Sequence, residues 1–312
     1  MLGVAIITHT APHQFLRLTR TLSQMYGNLP IACHHDFSQS PLDRSEFPAN
    51  VSFVEDWNKT RWGVWPFVEA KLKALRLLYD RADPDYFTVL SAADYPIAPA
   101  EQVLSELREW DADAYIDGYS LQDAFEGRFE PCEPHLQPFR APHNLQEARD
   151  RYLRAIIKIP ALKRSNTMGR RYRLGSRTRA LPFDTPFAPY STDYHCYVGS
   201  NWFSGNRKAA HRLLNPTRGD RRLQRHLRWR RFPEESYFQT VLHNDPDIRV
   251  DFRTRQYMNW DRIGEHPKDL AEEDFELLFR ERPHFARKFR PDASVLDAID
   301  EKLGVAASEA VA

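Results

Sequence analysis

Apolar positions follow two different periods over the first 120 residues. Leu2 to Thr8 is a short continuous apolar run, the signature of a strand buried on both faces. Beyond Pro12, the residues Phe15, Leu16, Leu18, Leu22 and Met25 recur at helical spacing, and Gly27-Asn28 ends the run. The alternation continues. Strands are predicted at Pro30 to His34 and Val51 to Glu55, then a helix at Trp65 to Tyr79 with Val68, Leu72, Leu75 and Leu78 on one face. A strand at Tyr86 to Leu90, a helix at Ala100 to Trp110 and a short strand at Ala114 to Ile116 complete the series. Strand and helix in turn predict an α/β fold with a central, mostly parallel sheet flanked by helices. Ligands of such sheets gather at the carboxyl ends of the strands. Asp36 and Asp94 fall just past two predicted strand ends.

The remaining chain is less periodic. Residues 121–190 read as an irregular, basic insertion, with a basic helix expected over Arg149 to Ile159. Tyr194 to Phe203 reads as strand, turn and strand around Gly199-Ser200. Pro233-Glu-Glu-Ser236 has the form of a helix start, with Pro in the first turn and acids beside it. The last fifty residues are expected to be helical with an Ala-rich tail. The organisation predicted is one large domain over 1–290 and a C-terminal helix and tail over 291–312.

Composition changes this picture little, and charge distribution changes it more. Apolar residues make up 42% and charged residues 28%, ordinary for a globular protein, and the net charge of +1 argues against a dedicated nucleic-acid partner. Yet Arg149 to Arg179 holds eleven Lys/Arg and the single acid Asp150, and Arg207 to Arg231 holds ten and the single acid Asp220. Glu265 to Glu281 is acidic instead. Basic runs are solvated faces or surfaces that meet an anion: a charged glycan, a lipid-linked phosphate or a bilayer. Cys33, Cys132 and Cys196 suggest neither a disulfide framework nor a zinc ribbon, which fits a reducing compartment. The N-terminus reads as a buried strand rather than a signal peptide, and no apolar run nears 18 residues. A cytoplasmic protein, peripheral to a membrane at most, is expected.

Several chemistries lack their motifs. There is no Walker loop, no Gly-rich dinucleotide fingerprint, no zincin pattern and no Gly-x-Ser-x-Gly elbow. Three Asp-x-Asp pairs occur, Asp83/Asp85, Asp111/Asp113 and Asp245/Asp247. Two are Asp-Pro-Asp turns and the third follows a helix, so all three read as loop or capping acids rather than metal ligands.

Four segments carry more information: Arg61-Trp-Gly-Val-Trp-Pro66, Tyr86-Phe-Thr-Val-Leu-Ser-Ala-Ala-Asp94-Tyr-Pro96, Val198-Gly-Ser-Asn201-Trp202-Phe203 and Phe232-Pro-Glu-Glu235-Ser-Tyr-Phe-Gln-Thr240, joined later by Phe285-Ala-Arg287-Lys288-Phe289. In this order they resemble glycosyltransferase family 14, the core-2/I-branching N-acetylglucosaminyltransferases and peptide O-xylosyltransferases, over roughly residues 3 to 290. The Leu-Ser-Ala-Ala-Asp-Tyr-Pro-Ile and Phe-Ala-Arg-Lys-Phe strings are most similar to the xylosyltransferase branch.

The resemblance implies a GT-A-like, Rossmann-like fold, an inverting transfer from a UDP-sugar and no metal or other cofactor. It implies that Glu235 is the catalytic base and that Asp36, Trp62, Gly63, Asp94, Asn201 and Trp202 line the UDP-sugar site. Arg287 and Lys288 match basic residues that grip the diphosphate, and Arg255 is a further phosphate candidate. Asn201 stands where the xylosyltransferases carry Asp, so GlcNAc and xylose both remain open as the transferred sugar. The acceptor implied is a hydroxyl on a glycan, a lipid-linked glycan or a protein.

The chemistry is consistent with these roles. An attacking alcohol needs one carboxylate as general base, and departing UDP needs a cation, either Mg²⁺ or fixed Arg and Lys. Taken alone, Glu235 also reads as a helix N-terminal acid, Arg287-Lys288 as a surface pair, and Asp36 and Asp94 as turn-capping acids. Two other functions remain open at this level. One is a glycoside hydrolase using Glu235 and Asp94. The other is a non-catalytic binder of acidic glycan or nucleic acid through the basic runs, with Arg170, Arg171 and Arg173 at its centre.

Overall fold

A computed structural model describes residues 1–109, 111–128, 145–164, 172–183, 188–260, 267–280 and 283–305, with the backbone alone for 145–146, 155–164 and 172–183. Trp110, Cys132, Arg170, Arg171, Glu265, Glu281 and the Ala-rich tail lie outside the described residues, and so does the Arg173 side chain.

The first half alternates as the periodicity predicts. β1 (Leu2–Thr8), α1 (Pro12–Met25), β2 (Ile31–His35), β3 (Val51–Phe53), α2 (Trp65–Arg81) and β4 (Tyr86–Ser91) are followed by β5 (Asp94–Pro96), α3 (Ala100–Glu109) and β6 (Ala114–Tyr115). Then come β7 (Tyr119–Ser120), α4 (Leu121–Phe125), α5 (Leu145–Ala148), β8 (Ala155–Arg164), β9 (Tyr172–Phe183), β10 (Tyr197–Val198) and β11 (Ser204–Asn206). The chain continues through α6 (Arg207–Leu214), α7 (Arg218–Leu227), α8 (Tyr237–His243), β12 (Val250–Asp251), β13 (Gln256–Met258), α9 (Phe275–Arg280), β14 (Phe285–Arg287) and α10 (Val295–Leu303).

Seven strands form the central sheet in the order β12-β6-β11-β4-β1-β2-β3. Every pairing is parallel except those of β11, which runs against both β4 and β6. β1 lies between β2 and β4, with Ile6 opposite Cys33 on one side and Leu90 on the other. This central place explains its unbroken apolar run, because alternate side chains enter two different cores. Ala5 and Ile7 face α2, α6, α7 and α8 with Val68, Leu75, Leu213, Leu223 and Phe238. Val4 and Ile6 face α1, α3 and α10 with Phe15, Leu18, Val103, Leu296 and Ile299. The result is a helix–sheet–helix sandwich. α10 is fixed to its layer by polar contacts as well. Asp300 accepts hydrogen bonds from Arg17 (2.6 Å) and Tyr95 (2.7 Å).

Three expectations are corrected. The stretch Arg149 to Ile159 is not one helix: a π-helical turn over Arg149–Leu153 follows α5, and β8 then pairs antiparallel with β9. Ile156, Ile157 and Ile159 favour an extended chain once a partner strand is present. Of the strand, turn and strand expected over Tyr194 to Phe203, only β10 falls within those bounds, beside β7; the next strand, β11, starts at Ser204 and enters the central sheet. The last fifty residues are not all helical: they contain β14, which joins β13 and β5 in a small three-stranded sheet. Strands of three residues have no readable period, and only their partners define them. Among the described residues no helix is long and apolar enough to cross a membrane.

Candidate active site

The site is built where the turn before α8 meets the loop before α2. Phe232 takes a left-handed backbone (φ 56°), and Pro233–Glu235 forms a single 3₁₀ turn leading into α8. This geometry turns the two adjacent carboxylates in different directions. Glu234, wholly buried, accepts the Gly63 backbone N–H at 2.8 Å. Gly63 is itself left-handed (φ 75°), and a Cβ there would sit 3.0 Å from the Phe232 ring. Phe232 N–H donates back to the Gly63 carbonyl at 3.1 Å, and the Trp62 ring lies 4.5 Å from the Phe232 ring. Glycine is required here because the backbone is left-handed and the approach is close. Trp62 and Gly63 are thereby joined to the Glu235 turn, although 170 residues of chain separate them.

Glu235 keeps only 13% of its side-chain surface. Its Oε2 accepts the Tyr152 hydroxyl at 2.5 Å, with Arg151 Nη1 at 3.8 Å. Burial lifts the carboxyl to about 7, against the opposing pull of Tyr152, Arg151 and Lys71. Burial also raises Glu234, helped by the charge of Glu235 beside it. Gly199 N–H donates to the Glu235 carbonyl at 2.8 Å, and Ser200 N–H donates to Asp117 Oδ1 at 2.6 Å. Asp117 is a second acid that burial lifts to about 7.

Beneath this turn lies a group of buried charges. Lys71, on the inner face of α2, donates to the backbone and side-chain oxygens of Asn201. Its ammonium lies over the rings of Trp202 (4.8 Å), Phe67 (5.0 Å) and Phe238 (5.4 Å). Burial pulls the Lys71 pKa down, opposed by Glu234, Asp94 and Glu235, while Arg287 adds to the lowering. Asp94 is wholly buried, accepts from the backbone N–H and hydroxyl of Ser91, and sits opposite Arg287 in the β14–β5 register. Arg287 stacks over Trp202 at 4.1 Å, with its Nε 3.5 Å from Asp94 Oδ1. Nε and Nη1 of Arg287 are buried without a hydrogen-bond partner among the described residues.

The fold therefore brings together Glu235, Trp62, Gly63, Asp94, Asn201, Trp202 and Arg287. It places the other three expected residues differently. Asp36, at the end of β2, accepts from Ser38, Gln39 and the N–H and hydroxyl of Thr60. These bonds hold its carboxyl far below the usual range despite burial, and they anchor the loop that leads to Trp62. Lys288 turns outward, 3.8 Å from Asp269. Arg255 pairs with Glu106 at 3.3 Å beside His284, at the end of β13 away from Met258, the residue opposite Arg287.

All three Asp-x-Asp pairs lie at the amino ends of the strands, the edge of the sheet opposite to the site. Asp85 precedes β4 and binds the N-terminal ammonium (2.5 Å) and Arg207 (3.1 Å). Asp111 and Asp113 precede β6 and pair with Arg249 (2.6 Å) and Lys208 (3.1 Å). Asp245 precedes β12 and binds Arg212. Among the described residues no group of three His, Cys, Asp or Glu is placed to hold a metal ion.

Sequence reasoning missed four residues here. Lys71 falls among Val68, Leu72 and Leu75 on the apolar face of α2, and a lysine at such a place signals a buried charge. Asp117 follows β6 as Asp36 follows β2, so the strand-end rule finds it. Tyr152 and Arg151 carry no such signal, because only the tertiary fold sets the π-helical turn beside Glu235.

The family model of the Core-2/I-branching enzyme matches residues 4–279, a span that holds every site residue except Arg287 and Lys288. The chain is similar to beta-glucuronosyltransferase GlcAT14B of Arabidopsis thaliana, 26% identical over 309 residues, which is 92% of this chain and 62% of that protein. It is similar to xylosyltransferase 1 of Mus musculus, 26% identical over 267 residues, 76% of this chain and 23% of the mouse protein. The chain thus spans less than two thirds of the length of either relative. The solved apo structure of the bifunctional glycosyltransferase WbbM aligns with a TM-score of 0.40 at 11% identity, covering 96% of this chain and 49% of that one. With the family model running through both sides of the Gly63–Glu234 junction, the chain belongs to the Core-2/I-branching enzyme family.

Proposed function

We propose that this chain transfers a sugar from a UDP-sugar to an acceptor hydroxyl with inversion, without a metal, in a GT-A-like domain. The observation that carries the reading is Glu235: a single carboxylate, lifted by burial to about 7, that still receives the Tyr152 hydroxyl and ends a turn joined to the Trp62–Gly63 loop. A base poised near neutral pH takes the acceptor proton as the acceptor oxygen bonds to the anomeric carbon. The bond from that carbon to the UDP oxygen breaks in the same displacement, and the electron pair leaves with the diphosphate. Arg287, buried with two nitrogens that make no hydrogen bond among the described residues, is the cation for that charge. The position of the Asp-x-Asp pairs at the far edge of the sheet, with Asp85, Asp113 and Asp245 ion-paired to Arg207, Lys208 and Arg212, supports a reaction without a metal.

One relative's name carries glucuronosyl transfer and another's xylosyl transfer. The donor panel is therefore UDP-GlcNAc, UDP-xylose and UDP-glucuronic acid, with Asn201 as the position to vary. Acceptors of three kinds fit: a glycan, a lipid-linked glycan and a protein, presented beside an anionic membrane that the basic runs meet. The hydrolase reading finds little support, because Asp94 is held by Ser91 and Arg287 and offers no second acid to an open cleft. The test is UDP release from the panel in the presence of EDTA, followed by product stereochemistry. Inverted product with EDTA present, lost in Glu235→Gln while UDP still raises the melting temperature, is the expected result. A retained anomeric configuration overturns the single-base mechanism.

A further inference from the structure

We infer that the outer face of α7 and the turn after it form a docking surface for an anionic bilayer, on the side of the molecule that carries Glu235. α7 buries Asp220, Leu223 and Leu227 against the core. Arg218, Arg221, Arg222 and Arg225 stand at i, i+3, i+4 and i+7 on the opposite, exposed face, and Arg228 continues the row. The first four are spread over about 10 Å of helix, and no acid shares their face. Arg222 donates to the Ala188 carbonyl and Arg228 to Glu69. Arg218, Arg221, Arg225 and Arg231 have no acidic partner among the described residues. The acids that do lie near are already engaged: Asp220 and Asp245 hold Arg212.

Charge alone would suit any polyanion, and Trp229 decides between them. Its side chain follows the Arg row and is 74% exposed, the most exposed large hydrophobic residue described. Folding gives no reason to leave an indole in water there. A bilayer interface does, because indole settles at the headgroup level while guanidinium groups meet anionic headgroups beside it. A sulfated polysaccharide neutralises the arginines but offers the indole no apolar phase to enter, and the net charge of +1 argues against a nucleic acid whose bases would stack on it.

The surface leads directly to the site. Arg231 lies over the Phe232 ring at 5.0 Å, and Phe232 contacts Trp62, itself 40% exposed. Three residues further along the chain is Glu235. The docking stands on this geometry alone. Only the statement that it presents Glu235 to a membrane-borne acceptor rests on the proposed glycosyl transfer.

The test uses the full chain with vesicles of phosphatidylcholine alone and of phosphatidylcholine with phosphatidylglycerol, and heparin as the soluble polyanion. Co-sedimentation with the anionic vesicles only, weakened by salt, is expected. Arg221→Glu with Arg225→Glu should weaken it by at least about tenfold, and Arg221→Glu alone measurably, whereas Arg81→Glu, a single reversal at the far end of α2, should not. Brominated phosphatidylglycerol should quench the wild type and lose most of that quenching in Trp229→Phe. Equal binding to both vesicles, no binding to either, or heparin binding without vesicle binding overturns the inference. So does a double variant that sediments like the wild type. UDP-induced stabilisation, measured on the same preparations, separates a failure of docking from a failure of the proposed reaction.

Discussion

The Tyr152 hydroxyl donates to Glu235 Oε2 at 2.5 Å, and with this bond the π-helical turn ahead of β8 reaches the turn ahead of α8. Two opposed effects meet at that carboxylate. Burial raises its pKa, and a hydrogen bond to its charged form lowers it, leaving it at about 7. His226 secures the arrangement by bonding the Tyr152 carbonyl at 2.8 Å.

Removing the hydroxyl removes the largest of the lowering effects and leaves those of Arg151 and Lys71. In Tyr152→Phe the acid limb of the pH–rate profile should move up by about one pH unit, and activity near neutral pH should fall about fivefold. The full pH profile of kcat/KM checks this. A profile with an unmoved limb contradicts the role assigned to Tyr152.

The same burial makes Glu235 costly to the fold. Its folded pKa is raised to about 7, well above the ordinary glutamate value, so the native state holds the proton more tightly than the unfolded chain. Stability is therefore greatest below the unfolded value and declines as pH rises toward the folded one. Glu235→Gln should be more stable than the wild type by about 1–3 kcal/mol above pH 7. The difference should vanish at pH 4. Urea unfolding of both proteins at the two pH values measures it.

Arg287 faces Asp94 in the fold and, in the proposed reaction, also meets the diphosphate. Arg287→Met leaves Asp94 buried opposite no charge, and should cost about 2–4 kcal/mol of stability. Adding Asp94→Asn should restore most of that loss. Stabilisation by UDP should stay lost in both variants, since the fixed cation is gone. Recovery of UDP binding in the double variant would remove Arg287 from the diphosphate site.

Gly63→Ala tests the junction between the two turns. The new Cβ meets the Phe232 ring at 3.0 Å on a backbone with φ of 75°. A loss of about 1–3 kcal/mol is expected, together with weaker UDP binding. Thermal unfolding with and without UDP reads both effects.

Much of the scaffold was legible from periodicity, because burying a strand on two faces or a helix on one leaves a regular trace in the sequence. β1, α1, β2, α2 and β4 follow their apolar patterns closely. The C-terminal strands do not, since β5, β13 and β14 are three residues each and exist only by pairing. The basic stretch read as a helix became a π-helical turn and a strand for the same reason: a partner strand outweighed local preference.

The site divides in the same way. The sequence alone determined the alternation that fixes a parallel sheet, the ordered motifs that mark the family, and the candidacy of Glu235, Trp62, Gly63, Asp94, Asn201, Trp202 and Arg287. Tertiary structure decided which of them meet. It placed Asp94 opposite Arg287, set Lys71 against Asn201, brought Tyr152 to Glu235, and turned Lys288 and Arg255 toward Asp269 and Glu106. Local sequence carries the propensities of single elements, whereas the charge state of a buried carboxylate depends on what distant segments place within a few ångströms of it.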